Sequence, residues 1–302
     1  MKFQWLFIGL LLVPFFTFGQ EVKSEDISDF IYSDTVVSDD PRYEEVVNNS
    51  FGKGERLTFK VSFGWFTVGK GLVVIKDNYY RINHRDCFKV DVYGKTSGLI
   101  DWVAEVDDHW AAYIDTASLV THMTYRNIKE GNYRKNEVVK FDHVTDMIEV
   151  KVLNRNTGAY KEPNYYKAPN NVRDMIAGIM YLRVVDFSNH AIGDTLKVSG
   201  FFEDTFYNMK VIYAKKEVIK TKVGRFNTIK LVPVMPENSL FDGENSIAAW
   251  ISDDENKIPV KVEAEMFIGH AGVEIIEFEG LKNTPNLVEE EKNKKNEKLA
   301  SD

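Results

Sequence analysis

Apolar and polar residues alternate with a period of two through much of the chain between residues 56 and 275. Successive side chains of a β-strand point to opposite faces, so this alternation predicts strands that bury one face. The pattern is clearest at 56–63 and 148–152. It recurs in shorter runs at 196–198, 207–211, 229–231, 247–251, 258–262 and 273–275. The sequence therefore predicts a mainly β protein of about a dozen strands.

One segment departs from this alternation. Between residues 171 and 187 apolar residues recur at helical spacing, which predicts a single helix there. We expect Asn170 or Asn171 to cap its start, and Asp174 to lie in the first turn, where a carboxylate suits the helix dipole. One covering helix and many strands predict one large curved antiparallel sheet, in the form of a barrel or half-barrel.

The two ends of the chain differ from its centre. Residues 1–19 combine a positive start, an apolar stretch at 3–18 and small residues near Gly19, which is typical of a signal peptide cleaved between Gly19 and Gln20. The alternative is an uncleaved anchor, although the stretch is short for a membrane span and contains Pro14. We therefore expect export to the periplasm or beyond, with no transmembrane helix after cleavage.

The regions after the apolar start differ in their content of charged residues. The net charge is −8, and the segment 20–50 holds nine acidic and two basic residues. We expect a flexible acidic leader at 20–50, a single β-rich domain at 51–281 and a flexible charged tail at 282–302. The domain is close to neutral, which argues against a nucleic-acid partner because phosphate binding needs a basic face. The single cysteine excludes an internal disulfide.

Three short motifs that suggest chemistry have simpler interpretations. Gly94-Lys95-Thr96 resembles the end of a phosphate-binding loop, but Lys89 occupies the position of the required first glycine. The residues at 107–109 lie next to one another on a predicted strand, so they cannot all converge on a metal. Asp253 and Asp254 are expected to accept backbone N–H groups in a turn. We therefore predict no catalytic residue, no metal site and no cofactor, and leave enzymatic activity open.

The remaining candidates for ligand binding are aromatic or charged. Inward-facing tryptophans of a curved sheet either fill the core or line an apolar cavity. Two charged residues of the predicted helix either anchor it to the sheet or face a ligand. The candidate residues are Trp65, Trp102, Trp110, Asp174, Arg183 and Trp250.

The chain resembles a family of exported bacterial proteins known as domain of unknown function 3108. The resemblance covers about residues 54–280, with a central helix that contains Asp174. Its motifs are GERLTF at 54–59, VG at 68–69, YGKTSGL at 93–99, EVDD at 105–108, LR at 182–183, VGRF at 223–226, WISDD at 250–254 and KIPVKV at 257–262. The resemblance implies a secreted or periplasmic protein with a curved antiparallel sheet, and it implies no activity. A looser likeness to periplasmic lipoprotein carriers is one of fold alone.

Three functions are compatible with these observations. The leading hypothesis is a non-enzymatic carrier that shields a lipid or another hydrophobic or amphipathic ligand in the concave face of its sheet. The second is an assembly factor of the cell envelope that binds a protein partner. The third is a hydrolase of envelope polymers, which would need converging carboxylates or a Ser–His pair.

Overall fold

The computed structural model describes residues 42–98, 105–234, 245–267 and 269–288 of the 302-residue chain. Within these ranges the chain forms fifteen strands, one α-helix, α1 (Met175–Leu182), and one turn of 3-10 helix at Phe187–Asn189. The strands are β1 (Arg56–Phe63), β2 (Phe66–Ile82), β3 (Arg85–Thr96), β4 (Asp107–Asp115), β5 (Thr121–Glu130), β6 (Tyr133–Asp142), β7 (Met147–Asn154), β8 (Ala159–Tyr160), β9 (Asn164–Lys167), β10 (Thr195–Phe202), β11 (Thr205–Thr221), β12 (Gly224–Val234), β13 (Ile247–Ser252), β14 (Pro259–Met266) and β15 (Gly269–Glu279).

All fifteen strands belong to one antiparallel sheet. The strand order is β10-β11-β12-β13-β14-β15-β1-β2-β3-β4-β5-β6-β7-β8, and β9 also pairs with β7. Two meanders, β1–β9 and β10–β15, are thus joined by the pairing of β1 with β15. Within the described ranges the end strands β10 and β8 do not pair with each other, so the sheet does not close into a barrel. The predicted large antiparallel sheet with one helix is confirmed, and its half-barrel alternative fits better than a closed barrel.

The helix is shorter than the predicted segment. It starts after Asp174, whose backbone is extended and whose carboxylate accepts the N–H groups of Ile176 and Ala177 at 3.0 and 3.1 Å. Asp174 is therefore the N-cap, and the expectation that Asn170 or Asn171 caps the helix was wrong. Asn171 has φ 55 and lies in the turn before the helix. No helix in the described ranges is long and apolar enough to span a membrane.

The helix fills the gap that the open sheet leaves. Its buried residues Ile176, Ala177 and Met180 pack against apolar side chains of β2, β3 and β4 and of the segment before β1. A separate core lies where the two meanders meet, with Phe59 of β1, Val260 of β14 and Ile275 of β15 among its members. Further buried clusters lie around Phe141, Tyr113 and Tyr213, so the core follows the curved sheet as several separate clusters.

Residues at the end of the predicted leader and the start of the predicted tail contact the sheet. Tyr43 packs against the rings of His122 and His143, and the guanidinium of Arg85 lies 4.3 Å from its ring centroid. Leu287 forms an isolated β-bridge with Phe226 of β12. The predicted signal peptide, the segment 20–41 and the segment 289–302 lie outside the described residues, so the domain boundaries stay predictions.

Arg183, the residue after α1, ties four parts of the chain together. Its side chain is buried and forms a two-pronged ion pair with Glu55, with N–O distances of 2.5 and 2.8 Å. The same guanidinium donates to the carbonyl oxygen of Asn256 in the β13–β14 turn, and the Arg183 carbonyl accepts from Ser50. Asn256 in turn exchanges two hydrogen bonds with Asn283, which follows β15. One buried polar centre thus connects four parts of the chain, namely the end of the helix, the two ends of the domain and one hairpin of the second meander.

Arg183→Met should destabilise the protein by about 3 to 5 kcal/mol, because it leaves the Glu55 carboxylate buried without its partner. In Glu55→Leu/Arg183→Met, both charges are gone, so the loss should be smaller than in Arg183→Met. Urea unfolding of the three proteins measures these differences. A loss below about 1 kcal/mol for Arg183→Met would contradict a central role for the ion pair.

Candidate functional site

A cleft lies where the β10–β11 hairpin of the second meander crosses the inner face of the first meander. We call it the Arg126 cleft. One wall comes from β4, β5 and β6, the floor from the start of α1, and the other wall from the end of β10 and its turn. It is lined by Trp110, Ala111, Thr124, Tyr125, Arg126, Glu137, Val139, Phe141, Asp174, Met175, Ile176, Phe201, Phe202, Glu203 and Asp204.

Four charged side chains form a network across the two walls. Arg126 is buried on β5 and donates to Glu137, its cross-strand neighbour on β6, with Nε–Oε1 at 2.8 Å. Its other arm donates to Glu203 in the β10–β11 turn at 2.6 Å. Lys135 contacts both carboxylates, at 2.7 Å to Glu137 and 2.9 Å to Glu203. The two cations and two carboxylates carry no net charge together, and their contacts hold the β10–β11 hairpin against the first meander.

The turn that carries Glu203 has two residues with positive φ, which residues other than glycine adopt less readily. Phe202 pairs with Thr205, so Glu203 and Asp204 form a two-residue loop, with φ of 45 and 59. Positive φ at both central positions is typical of a type I′ turn, which usually contains glycine or asparagine. Such a conformation costs roughly 1 to 3 kcal/mol at each residue. The contacts of Glu203 with Arg126 and Lys135 offset part of that cost.

Aromatic rings close the same cleft. The rings of Trp110 and Phe202 stack at 5.8 Å between centroids with an interplanar angle of 13°. The guanidinium carbon of Arg126 lies 4.6 Å from the Phe202 ring centroid and 5.2 Å from the Trp110 ring centroid. Deeper in the cleft, Phe201 meets Phe141 edge to face. The hairpin is therefore held by cation–π and stacking contacts as well as by ion pairs.

The pKa values of the acidic groups of the cleft are shifted in different directions. Burial raises the pKa of Glu203, but attraction to Arg126 and Lys135 more than offsets this, so its pKa lies below the usual value. Burial and the nearby Glu137 hold the pKa of Asp204 above its usual range. Burial likewise raises the pKa of Asp174, although Thr121 donates to its carboxylate at 2.7 Å. Glu203 is thus the carboxylate that the cations hold ionised at the mouth of the cleft.

The cleft encloses about 20 Å³, which is room for one or two water molecules. The Arg126 cleft contains no serine, cysteine or histidine among its described lining residues. Its described lining combines one guanidinium and four carboxylates with aromatic rings.

The structure brings two of the six candidate residues together. Trp110 and Asp174 both line the Arg126 cleft. Arg183 is buried in the polar centre described above, and Trp102 lies outside the described residues. The ligand-binding roles of these residues stay predictions.

The other two tryptophans do not face the cleft. Trp65 lies in the β1–β2 turn and is 98% exposed, so the expectation that it points into the concave face was wrong. Trp250 lies on β13 between Lys230 and Lys261, whose ammonium groups are 4.8 and 5.6 Å from its ring centroid. Its indole N–H donates to Glu217 at 2.7 Å. Its environment is thus a cross-strand stack rather than a cavity.

The two aspartates assigned to a turn occupy the β13–β14 connection. The Asp254 carboxylate accepts the backbone N–H groups of Asn256, Lys257 and Asn286. Asp253 instead forms an ion pair with Lys216 of β11 at 2.8 Å. Both aspartates were expected to accept backbone N–H groups; Asp254 does so, whereas Asp253 forms a side-chain ion pair.

The four charged residues of the network, Arg126, Lys135, Glu137 and Glu203, were not identified from the sequence. Arg126, Glu137 and Lys135 read as the exposed positions of alternating strands, where charges are ordinary. A usable signal exists, because the hairpin register of β5 and β6 places Arg126 opposite Glu137. No local signal identifies Glu203 as their partner, since it lies 77 residues beyond Arg126.

Glu203→Gln should loosen the β10–β11 turn without unfolding the protein. Losing a charge-assisted contact worth roughly 1.5 kcal/mol should speed amide hydrogen exchange at residues 201–206 by about tenfold. Glu162→Gln, at an exposed position, provides a matched control and should leave exchange there unchanged. Equal exchange at 201–206 in both variants would show that the ion pairs do not hold the turn.

The chain was compared with known protein families, curated proteins and solved structures. No curated protein matches this chain. Several solved structures resemble it, of which three are described. A β-barrel-like protein of domain of unknown function DUF1849 from Brucella abortus is 8% identical, with a TM-score of 0.48 over 76% of this chain and 99% of that one. The hypothetical protein CT021 from Chlamydia trachomatis is 13% identical, with a TM-score of 0.34 over 79% and 93%.

The third structure is a candidate exported protein with a YmcC-like fold from Bacteroides fragilis, 10% identical, with a TM-score of 0.30 over 78% of this chain and 100% of that one. The family profile described as "Protein of unknown function (DUF3108)" matches residues 58–276, which is more than half of the chain. This match confirms the resemblance seen in the sequence motifs. The chain therefore belongs to the DUF3108 family.

Proposed function

We propose that this chain is an exported, non-enzymatic protein that binds an amphipathic anion in the Arg126 cleft. The observation that carries the proposal is the position of Arg126, which lies beside the stacked rings of Trp110 and Phe202 while its charge is shared by two carboxylates. Ligand sites typically combine apolar walls with a few polar groups that fix orientation.

Ligand binding would replace the ion pairs of Glu203 with Arg126 and Lys135 by contacts between these two cations and the ligand. The closed cleft is too small for a ligand, so the β10–β11 turn has to move away from the first meander. That movement separates Glu203 from Arg126 and Lys135, which then face Glu137 alone and carry a net charge of +1. A carboxylate or phosphate of the ligand would take the place of the Glu203 carboxylate.

The apolar part of the ligand would occupy the rest of the cleft. Movement of the turn breaks the stack of Trp110 on Phe202 and exposes the apolar surface of Val139, Phe141 and Phe201 beneath it. A hydrocarbon chain or ring that covers these groups restores the buried apolar area, at about 25 cal/mol per Å². The ligand class is therefore an anion with a hydrocarbon or aromatic body.

The chemistry of the cleft favours this binder over a hydrolase. Glu137 and Glu203 are both held by Arg126 and Lys135, so neither is free to act as a general acid. Asp174 caps α1 and accepts from Thr121, which leaves Asp204 as the one remaining carboxylate of the described lining. Export rests on the signal-like segment at residues 1–19, with the mature chain starting at Gln20.

Calorimetric titration with dodecanoate, below its micelle-forming concentration, tests the proposal. Dodecanoate should bind, and Lys135→Met should weaken binding by about tenfold or more, because it removes a charged hydrogen-bond donor. Glu203→Gln should tighten binding, since the competing internal carboxylate is gone. Lys216→Met removes a lysine that is ion-paired elsewhere on the sheet and should change nothing.

The uncharged analogue dodecanol completes the test. It should bind more weakly than dodecanoate, because it offers no negative charge to Arg126 and Lys135. The proposal fails if dodecanoate does not bind, or if Lys135→Met and Lys216→Met bind it equally well.

A further inference from the structure

Three large apolar side chains are exposed at the tips of two adjacent hairpins. Trp65 and Phe66, in and after the β1–β2 turn, are 98% and 72% exposed, and Phe267, in the β14–β15 turn, is 62% exposed. We call these three residues the aromatic tip. Single exposed hydrophobic residues are ordinary, but a group at one end of a molecule indicates an interaction site.

The two hairpins are fixed side by side. β1 pairs with β2 on one side and with β15 on the other, and the Gly64 N–H donates to the His270 carbonyl at 2.8 Å. Phe63 packs against Gly269, where an added Cβ would lie 3.2 Å from the Phe63 ring. Gly64 has φ 55, which a type II′ hairpin turn requires at its first central position. The backbone therefore presents the three aromatic residues together instead of allowing them to fold back onto the core.

We propose that the aromatic tip docks on the interfacial region of a phospholipid bilayer. The tip is convex, because it consists of two projecting turns, so it cannot enclose a small molecule. Tryptophan and phenylalanine are favoured at the membrane interface, where an apolar ring enters the boundary of the acyl chains and polar groups stay in water. This inference goes beyond the ligand cleft and holds whether or not the cleft binds an anion.

A row of lysines lies behind the tip at the depth of lipid headgroups. Lys60, Lys70 and Lys95 stand opposite one another on β1, β2 and β3, so their side chains share one face of the sheet. Lys60 is three residues from Phe63, the last residue of β1, which corresponds to about 10 Å along a strand. With the aromatic residues inserted by roughly 5 to 10 Å, these ammonium groups reach the phosphate layer.

The charges around the tip complement a lipid surface only weakly. Lys60 pairs with Glu274 at 3.4 Å, and Lys95 lies 3.9 Å from Asp107. The three lysines and these two acidic partners together carry a net charge of +1. The exposed Glu265 lies opposite His270 near the second turn. Insertion of the aromatic residues should therefore supply most of the affinity, and anionic lipid should raise it modestly.

Vesicle flotation of the exported, processed chain tests this proposal. With vesicles of phosphatidylcholine and phosphatidylglycerol in a 7:3 ratio, the wild-type chain should float, and Trp65→Ser/Phe66→Ser should lower the vesicle partition coefficient by at least about tenfold. Tyr165→Ser/Val218→Ser removes two exposed apolar residues elsewhere and should float like the wild type.

Quenching of tryptophan fluorescence by brominated phosphatidylcholine locates the contact. Quenching should be strong in the wild type and should largely disappear in Trp65→Phe, which keeps an aromatic ring and should still float. The proposal is overturned if the wild type stays in solution, if both double variants float equally, or if quenching is unchanged in Trp65→Phe.

Discussion

The buried ion pair of Arg183 with Glu55 is the contact on which the arrangement of the two meanders depends. A guanidinium and a carboxylate taken out of water are costly unless their remaining hydrogen-bonding groups are satisfied. Here the additional acceptor is the carbonyl of Asn256, which belongs to the second meander, whereas Glu55 precedes the first strand. The pair therefore fixes where the helix ends and how the β13–β14 turn meets the start of β1.

A second set of side-chain contacts explains why a sheet that does not close can be stable. A closed barrel satisfies its edges by backbone pairing, but this sheet leaves β10 and β8 unpaired with each other within the described residues. The gap is filled by α1 and by side chains, chiefly the contacts of the β10–β11 turn with Arg126 and Trp110. Side-chain contacts separate more easily than a ladder of backbone hydrogen bonds. The proposed ligand cleft lies at this position, where opening would require only that side-chain contacts separate.

Much of the fold follows from local patterns in the sequence. Alternation located β1, β7 and β10–β15, because it reports which face of each strand is buried. The helix was predicted too long because the apolar residues Val172 and Val184 continue its spacing, although the first is buried in the approach to the cap. Trp65 was misplaced since alternation cannot distinguish a strand residue from a turn residue that follows a glycine. The contact of Glu203 with Arg126 was beyond reach, because only the tertiary fold brings these two residues together.

The most direct measurement is native mass spectrometry of the full chain isolated from the cells that produce it, followed by extraction of bound molecules. The account predicts a mature chain that starts at Gln20 and carries one amphipathic acid per protein molecule, with the adduct largely lost in Lys135→Met. A chain that carries no adduct, or an adduct equally abundant in Lys135→Met, would contradict the assignment of the Arg126 cleft as the ligand site.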